Sequence, residues 1–134
     1  MGKFMKANQY KLSKIPEITE ESQKNFDELD KSLFNEKQLS QIEIGYKRSL
    51  DFLRYADPKY DHSQMFELRI ALQYKEYIND EYLDFLFDEK WNNEQMRELR
   101  LAMISKVDYH IFADVNYTST QMRNVRIDLE EAES

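Results

Sequence analysis

The sequence predicts an all-α fold: a solenoid-like stack of about four short helical-hairpin repeats behind a leading helix. The first observation is that the 134 residues include only two glycines and two prolines, so few residues break helices. The second is a segment that recurs four times without gaps, because such repeats bury their apolar faces by stacking on one another. The four copies span residues 34–46, 60–72, 91–103 and 117–129.

The chain before the copies is predicted to have two parts. Residues 1–16 contain four lysines and no acidic residue, which predicts a flexible basic arm. The other 15 basic and all 26 acidic residues lie in 17–134, so this single helical-repeat domain has a net charge of −11. A leading helix is expected over 19–33, with Phe26, Leu29 and Leu33 as its apolar residues.

Each copy begins with the same helix-start signal. An aromatic residue at position 1 precedes a good N-cap residue, and a glutamine at position 5 completes a capping box. The repeat helices are therefore expected to start near residues 35, 61, 92 and 118. The aromatic residues are Phe34, Tyr60, Trp91 and Tyr117, and the glutamines are Gln38, Gln64, Gln95 and Gln121.

An apolar stripe begins at position 6 of each copy. Leu39 in the first copy and methionine in the others stand where a hydrophobic staple would clasp the aromatic residue. Apolar-rich segments at 50–55, 82–87 and 109–112 lie between the repeat helices and are predicted to be short return helices. The methionines are Met65, Met96 and Met122.

An arginine recurs at position 10 of the last three copies, where the first copy has Glu43. It borders the apolar stripe, so a structural salt bridge is favoured over a ligand contact. The expected partner is an acidic residue of an adjacent turn, namely Asp57, Asp88 or Asp114. The arginines are Arg69, Arg100 and Arg126.

The run from Tyr55 to Leu72 resembles a repeat of the form Y-A-D-P-x-[FY]-x-x-x-Q-M-x-x-I-R-x-G-L. That repeat occurs in proteins of phages, plasmids and conjugative elements of Gram-positive bacteria. The resemblance covers about residues 26–129 and is most specific at Gln-Met-x-x-[LV]-Arg in three copies. It implies a mobile-element context, in which small acidic proteins often disarm host defences such as restriction and CRISPR systems.

The sequence contains no recognisable catalytic, cofactor-binding or metal-binding pattern. There is no cysteine, and His62 and His110 lack the spacing of metal ligands. Neither a glycine-rich phosphate loop nor a nucleophile elbow is present. No run of about 18 apolar residues occurs, which argues against a membrane span. We therefore expect a cytoplasmic protein that is not an enzyme and uses no cofactor.

Candidate partner-binding residues lie where the copies differ. The copies start 26, 31 and 26 residues apart, so five extra residues fall within 73–82. The tyrosines there form either an exposed recognition patch among acidic residues or a filling for the wider gap between copies. Two arginines at position 7 occur in only two copies and are candidates for an exposed contact. The candidates are Tyr74, Tyr77, Asp80, Glu81, Tyr82, Asp84, Arg97 and Arg123.

These observations predict a non-catalytic protein–protein interaction module. Its partner would be a host defence protein that binds nucleic acid. The chain would act on this protein as an inhibitor or an adaptor. The alternative is an acidic DNA mimic of the anti-CRISPR or anti-restriction type, occupying a nucleic-acid channel. Direct DNA binding through residues 1–16 with Arg97 and Arg123 is a third hypothesis, which the negative net charge disfavours.

The helix-start signal can be tested by mutation. Trp91→Ala should lower the free energy of unfolding by about 3–5 kcal/mol if the ring is buried as a staple. Asn92→Ala should lower it by about 1 kcal/mol through loss of the N-cap. Urea denaturation followed by circular dichroism measures both. Unchanged stability in Trp91→Ala would mean that the alignment misplaces this helix start.

Overall fold

The computed structural model describes residues 14–133, and within this range it contains six α-helices and no β-strand. The predicted all-α class is confirmed. The helices are α1 (Glu20–Asp27), α2 (Glu36–Lys47), α3 (His62–Gln73), α4 (Asp80–Leu86), α5 (Asn93–Ser105) and α6 (Ser119–Ala132). Single 3₁₀ turns lie at Lys31–Leu33, Phe52–Arg54, Lys75–Tyr77 and Tyr109–Ile111. Residues 1–13 of the predicted basic arm lie outside the described range.

All four predicted capping boxes are present. In each, the N-cap side chain accepts a hydrogen bond from the backbone N–H of the glutamine, at 2.7–3.1 Å. The glutamine Oε1 in turn accepts one from the N-cap N–H, at 2.8–3.0 Å. Two orphan donors are thereby satisfied at every helix start. The N-cap residues are Asn35, Asp61, Asn92 and Thr118.

The repeat helices pack against one another in chain order. Helix α2 contacts α3, α3 contacts α5 and α5 contacts α6, while α1 packs on α2 and α4 packs on α3 and α5. The three methionines at position 6, Met65, Met96 and Met122, are fully buried between these helices. A continuous apolar core therefore runs from copy to copy.

The glutamine at position 5 also joins its copy to the next one. Its Nε2 donates a hydrogen bond to the backbone carbonyl of the next copy's aromatic residue. The three glutamines that do so are buried, so the bond satisfies groups that would be costly to leave unpaired. In the fourth copy Gln121 makes no such bond within residues 14–133 and is exposed. The pairs are Gln38 with Tyr60 (2.8 Å), Gln64 with Trp91 (2.7 Å) and Gln95 with Tyr117 (2.9 Å).

The predicted partners of the repeated arginines were wrong. Each guanidinium binds the position-8 side chain of the preceding repeat helix, because stacked helices bring positions 8 and 10 of neighbouring copies together. The turn residues Asp57, Asp88 and Asp114 instead accept hydrogen bonds from the backbone N–H two residues further on, as Asx turns do. The arginine pairs are Arg69 with Gln41 (3.0 Å), Arg100 with Glu67 (3.0 Å) and Arg126 with Glu98 (3.1 Å).

Burial of the position-1 aromatic residues depends on the copy that follows. Phe34, Tyr60 and Trp91 are 9%, 3% and 1% exposed, whereas Tyr117 is 38% exposed. The Tyr60 hydroxyl donates to the carbonyl of Phe87, which belongs to the following copy's turn. Among the four aromatic residues, Tyr117 is thus the exposed one.

The predicted return helices are present only in part. The segments 50–55 and 109–112 contain single 3₁₀ turns, and only 82–87 overlaps an α-helix, α4. The 14 residues between α2 and α3 contain one 3₁₀ turn, Phe52–Arg54, and no α-helix. Two of the three expected helical hairpins are therefore a helix followed by one turn.

The leading helix is shorter than predicted. It ends at Asp27, and the carboxylate of Asp30 accepts from the backbone N–H of Ser32 to start a separate 3₁₀ turn. Phe26 stacks on Tyr46 with ring centroids 4.3 Å apart, as an apolar residue of this helix should. Leu33, by contrast, is 58% exposed, because the helix no longer continues to it.

Position 12 of the first copy shows how one copy is fitted to the next. The Tyr55 hydroxyl donates to the carbonyl of Gln41 at 2.6 Å, and burial raises the pKa of this phenol, which stays neutral. A Cβ on Gly45 would overlap the hydroxyl and lie 3.1 Å from Tyr55 Cζ. Glycine is therefore required opposite tyrosine, whereas the third copy has Ala102 with Phe112 at the equivalent positions.

The bond between copies can be separated from the capping box by a matched pair of variants. Gln95→Ala should lower the free energy of unfolding by about 2–4 kcal/mol, because a capping hydrogen bond is lost and a buried carbonyl is left unpaired. Gln121→Ala removes only the capping hydrogen bond and should cost about 1 kcal/mol. Urea denaturation measures both, and equal losses would contradict a role for Gln95 between copies.

The fit at position 12 predicts a rescue. Gly45→Ala should lower stability by about 1–3 kcal/mol through overpacking against the tyrosine hydroxyl. Combining it with Tyr55→Phe removes the hydroxyl and recreates the pairing of the third copy, so most of this loss should be recovered. A double-mutant cycle by chemical denaturation measures the coupling. Additive effects of the two substitutions would refute the proposed fit.

Candidate functional site

The five-residue insertion gives copies two and three a connection unlike the others. Elsewhere the chain leaves the repeat helix through a residue with positive φ, Ser49 at 58° or Lys106 at 62°. After α3 it instead makes the 3₁₀ turn 75–77, buries Ile78 and starts α4 at Asn79, whose side chain accepts from the N–H of Tyr82 at 2.9 Å. The insertion thereby adds a helix where the other copies have a single turn.

A groove of about 760 Å³ lies between this connection and the equivalent connection of the next copy. We call it the insertion groove. One wall is the inserted segment, and the other is the end of α5 with the turn that follows it. The lining residues are Lys75, Glu76, Tyr77, Ile78, Asn79, Asp80, Tyr82, Met103, Lys106, Val107, Asp108, Tyr109 and His110.

Aromatic rings form much of the surface of the insertion groove. Tyr82 meets Tyr109 edge to face with centroids 5.1 Å apart, and His110 stacks on Tyr109 at 4.2 Å. Burial, reinforced by Tyr82, Glu81 and Asp108, raises the pKa of Tyr109 to about 12. The phenol is therefore uncharged at neutral pH. The rings offer flat, rigid contact area with polar edges.

Charges of both signs line the same groove. Lys106 Nζ donates to the backbone carbonyl of Tyr77 at 3.3 Å, across the two walls. Asp108 accepts from the backbone N–H of His110 at 3.1 Å and lies 3.0 Å from its Nδ1. Within residues 14–133 no group of three or more His, Cys, Asp or Glu is arranged to hold a metal ion. The groove suits recognition of a mixed polar and aromatic surface.

The predicted tyrosine and acidic candidates lie in different surroundings in the structure. Tyr77, Asp80 and Tyr82 line the insertion groove. Tyr74 and Tyr82 are half-buried and pack on the core, as expected of rings that fill the gap between copies. Glu81 is exposed in the first turn of α4, where a negative charge favours the helix dipole.

The remaining candidates lie outside the insertion groove. Asp84 pairs with Arg54 at 2.7 Å, a contact between copies that accounts for its charge. Arg97 and Arg123 are exposed on α5 and α6, and neither lines the groove. The tyrosine and arginine candidates therefore belong to two separate surfaces.

One wall of the groove was not predicted. Lys106, Asp108, Tyr109 and His110 come from the connection between copies three and four, which has no insertion and no unusual composition. The alignment of the copies contains the relevant signal, since stacking places equivalent segments side by side. Residues 103–110 are the equivalents, one copy later, of the segment that carries the insertion.

Comparison of the chain with protein-family models, with curated proteins and with solved structures found no match. Within the described range, no helix combines the length and the apolar character that crossing a bilayer requires.

Proposed function

We propose that the chain is a protein–protein interaction module, a solenoid-like stack of helical repeats that binds a segment of a partner protein in the insertion groove. The observation that carries this proposal is the groove itself. It is built by an insertion that is absent from the other two connections between copies. A feature that the repeat does not need for folding is available for binding.

The contacts between copies support a solenoid-like arrangement. Each repeat helix is bonded to the next by the same glutamine and arginine contacts, so neighbours supply one another's core.

The lining of the insertion groove favours a protein segment as its ligand. Tyrosine is enriched at protein interfaces and often dominates their binding energy. Both lysines and carboxylates line the walls, so neither sign of charge prevails as it would in a nucleic-acid site.

The resemblance to repeat proteins of mobile elements supplies the biological part of the proposal. A cytoplasmic inhibitor or adaptor that acts on a host defence protein fits that context. Direct DNA binding is less well supported, because the net charge of −7 repels a polyanion.

A binding assay tests the role of the groove. Immobilised chain should retain a saturable partner from a lysate of Gram-positive bacterial cells. Tyr77→Ala with His110→Ala should weaken binding of that partner by at least about 10-fold, because both residues line the groove. Isothermal titration with the purified partner gives the affinities.

The control is Leu53→Ala, which truncates an exposed residue in the connection between copies one and two, at the position that corresponds to His110. This variant should bind the partner as well as the unmodified chain does. Failure to retain any saturable partner, or equal weakening by Leu53→Ala, would reject the proposed function.

A further inference from the structure

Two arginines differ from the others in having no partner. The chain has seven arginines, all within the described residues. Besides the three repeated ones, Arg48 donates to Gln73 and Arg54 binds Asp84. The guanidinium groups of Arg97 and Arg123 are exposed and make no hydrogen bond or ion pair with any residue between 14 and 133.

Arg97 and Arg123 occupy position 7 of adjacent copies. Their helices α5 and α6 pack together, so the two side chains lie next to each other at an expected spacing of about 8–10 Å. Phe66 holds position 7 on α3 and is 41% exposed, with the Arg69 guanidinium 5.2 Å from its ring centroid. We call Phe66, Arg97 and Arg123 the position-7 row.

The surroundings of the position-7 row compensate its positive charge only in part. Glu98, on α5, is occupied by Arg126. Glu94, one turn before Arg97, accepts a hydrogen bond from the Ser119 hydroxyl at 3.0 Å and can offset only one of the two guanidinium charges. Arg123 has no acidic residue within one turn of its own helix. In a chain of net charge −7, the row is thus a local site for carboxylates.

Half-buried aliphatic residues border the row at position 11. These side chains lie one helical turn beyond position 7 and extend the apolar surface around the phenylalanine ring. Arginine and aromatic residues beside apolar area are the usual composition of a protein-binding hot spot. The residues are Ile70, Leu101 and Ile127.

We propose that the position-7 row binds an acidic, extended segment of a partner protein laid across α3, α5 and α6. One apolar residue contacts Phe66, and two carboxylates bind the guanidinium forks of Arg97 and Arg123. A polyproline II segment has three residues per turn and rises about 9.3 Å in that turn, which matches the spacing of packed helices. The recognised pattern is an apolar residue followed by Asp or Glu at every third position.

This surface is separate from the insertion groove. Position 7 lies in the first half of each repeat helix, whereas the groove is lined by Met103 and the turn after α5. The groove assay and the assay below use different variants. One proposal can therefore fail while the other stands.

Synthetic peptides test the row directly. The probe is a labelled peptide Leu-Pro-Ala-Glu-Pro-Ala-Glu, compared with its Gln isostere and with a peptide in which the two Glu are adjacent. We expect the first peptide to shift the Nε–Hε signals of Arg97 and Arg123 in NMR spectra of the full chain. Fluorescence anisotropy should give at least about 10-fold weaker binding for both other peptides.

Variants assign the binding to the row. Arg97→Glu with Arg123→Glu should weaken peptide binding at least about 100-fold, since two charge-assisted contacts become repulsive. Phe66→Ser, which copies Ser40 of the first copy, should weaken it about 10-fold. Lys24→Glu with Lys37→Glu makes the same change in net charge at exposed residues outside the row and should change binding less than about 3-fold.

Several results would overturn the proposal. They are failure of the Glu peptide to bind, equal binding of the Gln or adjacent-Glu peptide, and equal weakening by the lysine reversals. Tighter binding of a single-stranded oligonucleotide, with shifts at the same two arginines, would assign the row to nucleic acid instead.

Discussion

The side-chain amide at position 5 is the contact on which the arrangement of the copies depends. Its oxygen accepts from the N-cap N–H of its own helix, and its nitrogen donates to a carbonyl of the next copy. An isolated capping box accepts Glu or Gln, but a glutamate has no donor for the second bond. The double role therefore explains the glutamine of the first three copies, which each bond to the copy that follows. Helix initiation and the joining of copies are carried out by one side chain.

Equivalent residues of different copies have different environments. Gln95 is buried and bonded to the next copy, whereas Gln121 is exposed. Trp91 is 1% exposed and Tyr117 is 38% exposed. The burial of a repeated residue thus depends on whether another copy packs over it.

The two proposed binding surfaces avoid the glutamine and arginine contacts that recur between copies. The insertion groove occupies the connections at the ends of α3 and α5, and the position-7 row lies on the exposed sides of the repeat helices. Residues at both places vary among the copies, because the capping boxes and the arginine pairs do not require them. Substitutions there should alter partner binding with little effect on the fold.

The sequence by itself determined the helix starts and the all-α class, because capping boxes and buried methionines are local patterns of a few residues. It also located the insertion and the two arginines of position 7. Only the tertiary structure decided that Arg100 binds Glu67 and not a turn aspartate, that two return segments are single turns, and that His110 faces the inserted tyrosines. Those outcomes depend on how far one helix is displaced and rotated relative to the next. That geometry arises from packing between residues more than 20 positions apart, which no local pattern specifies.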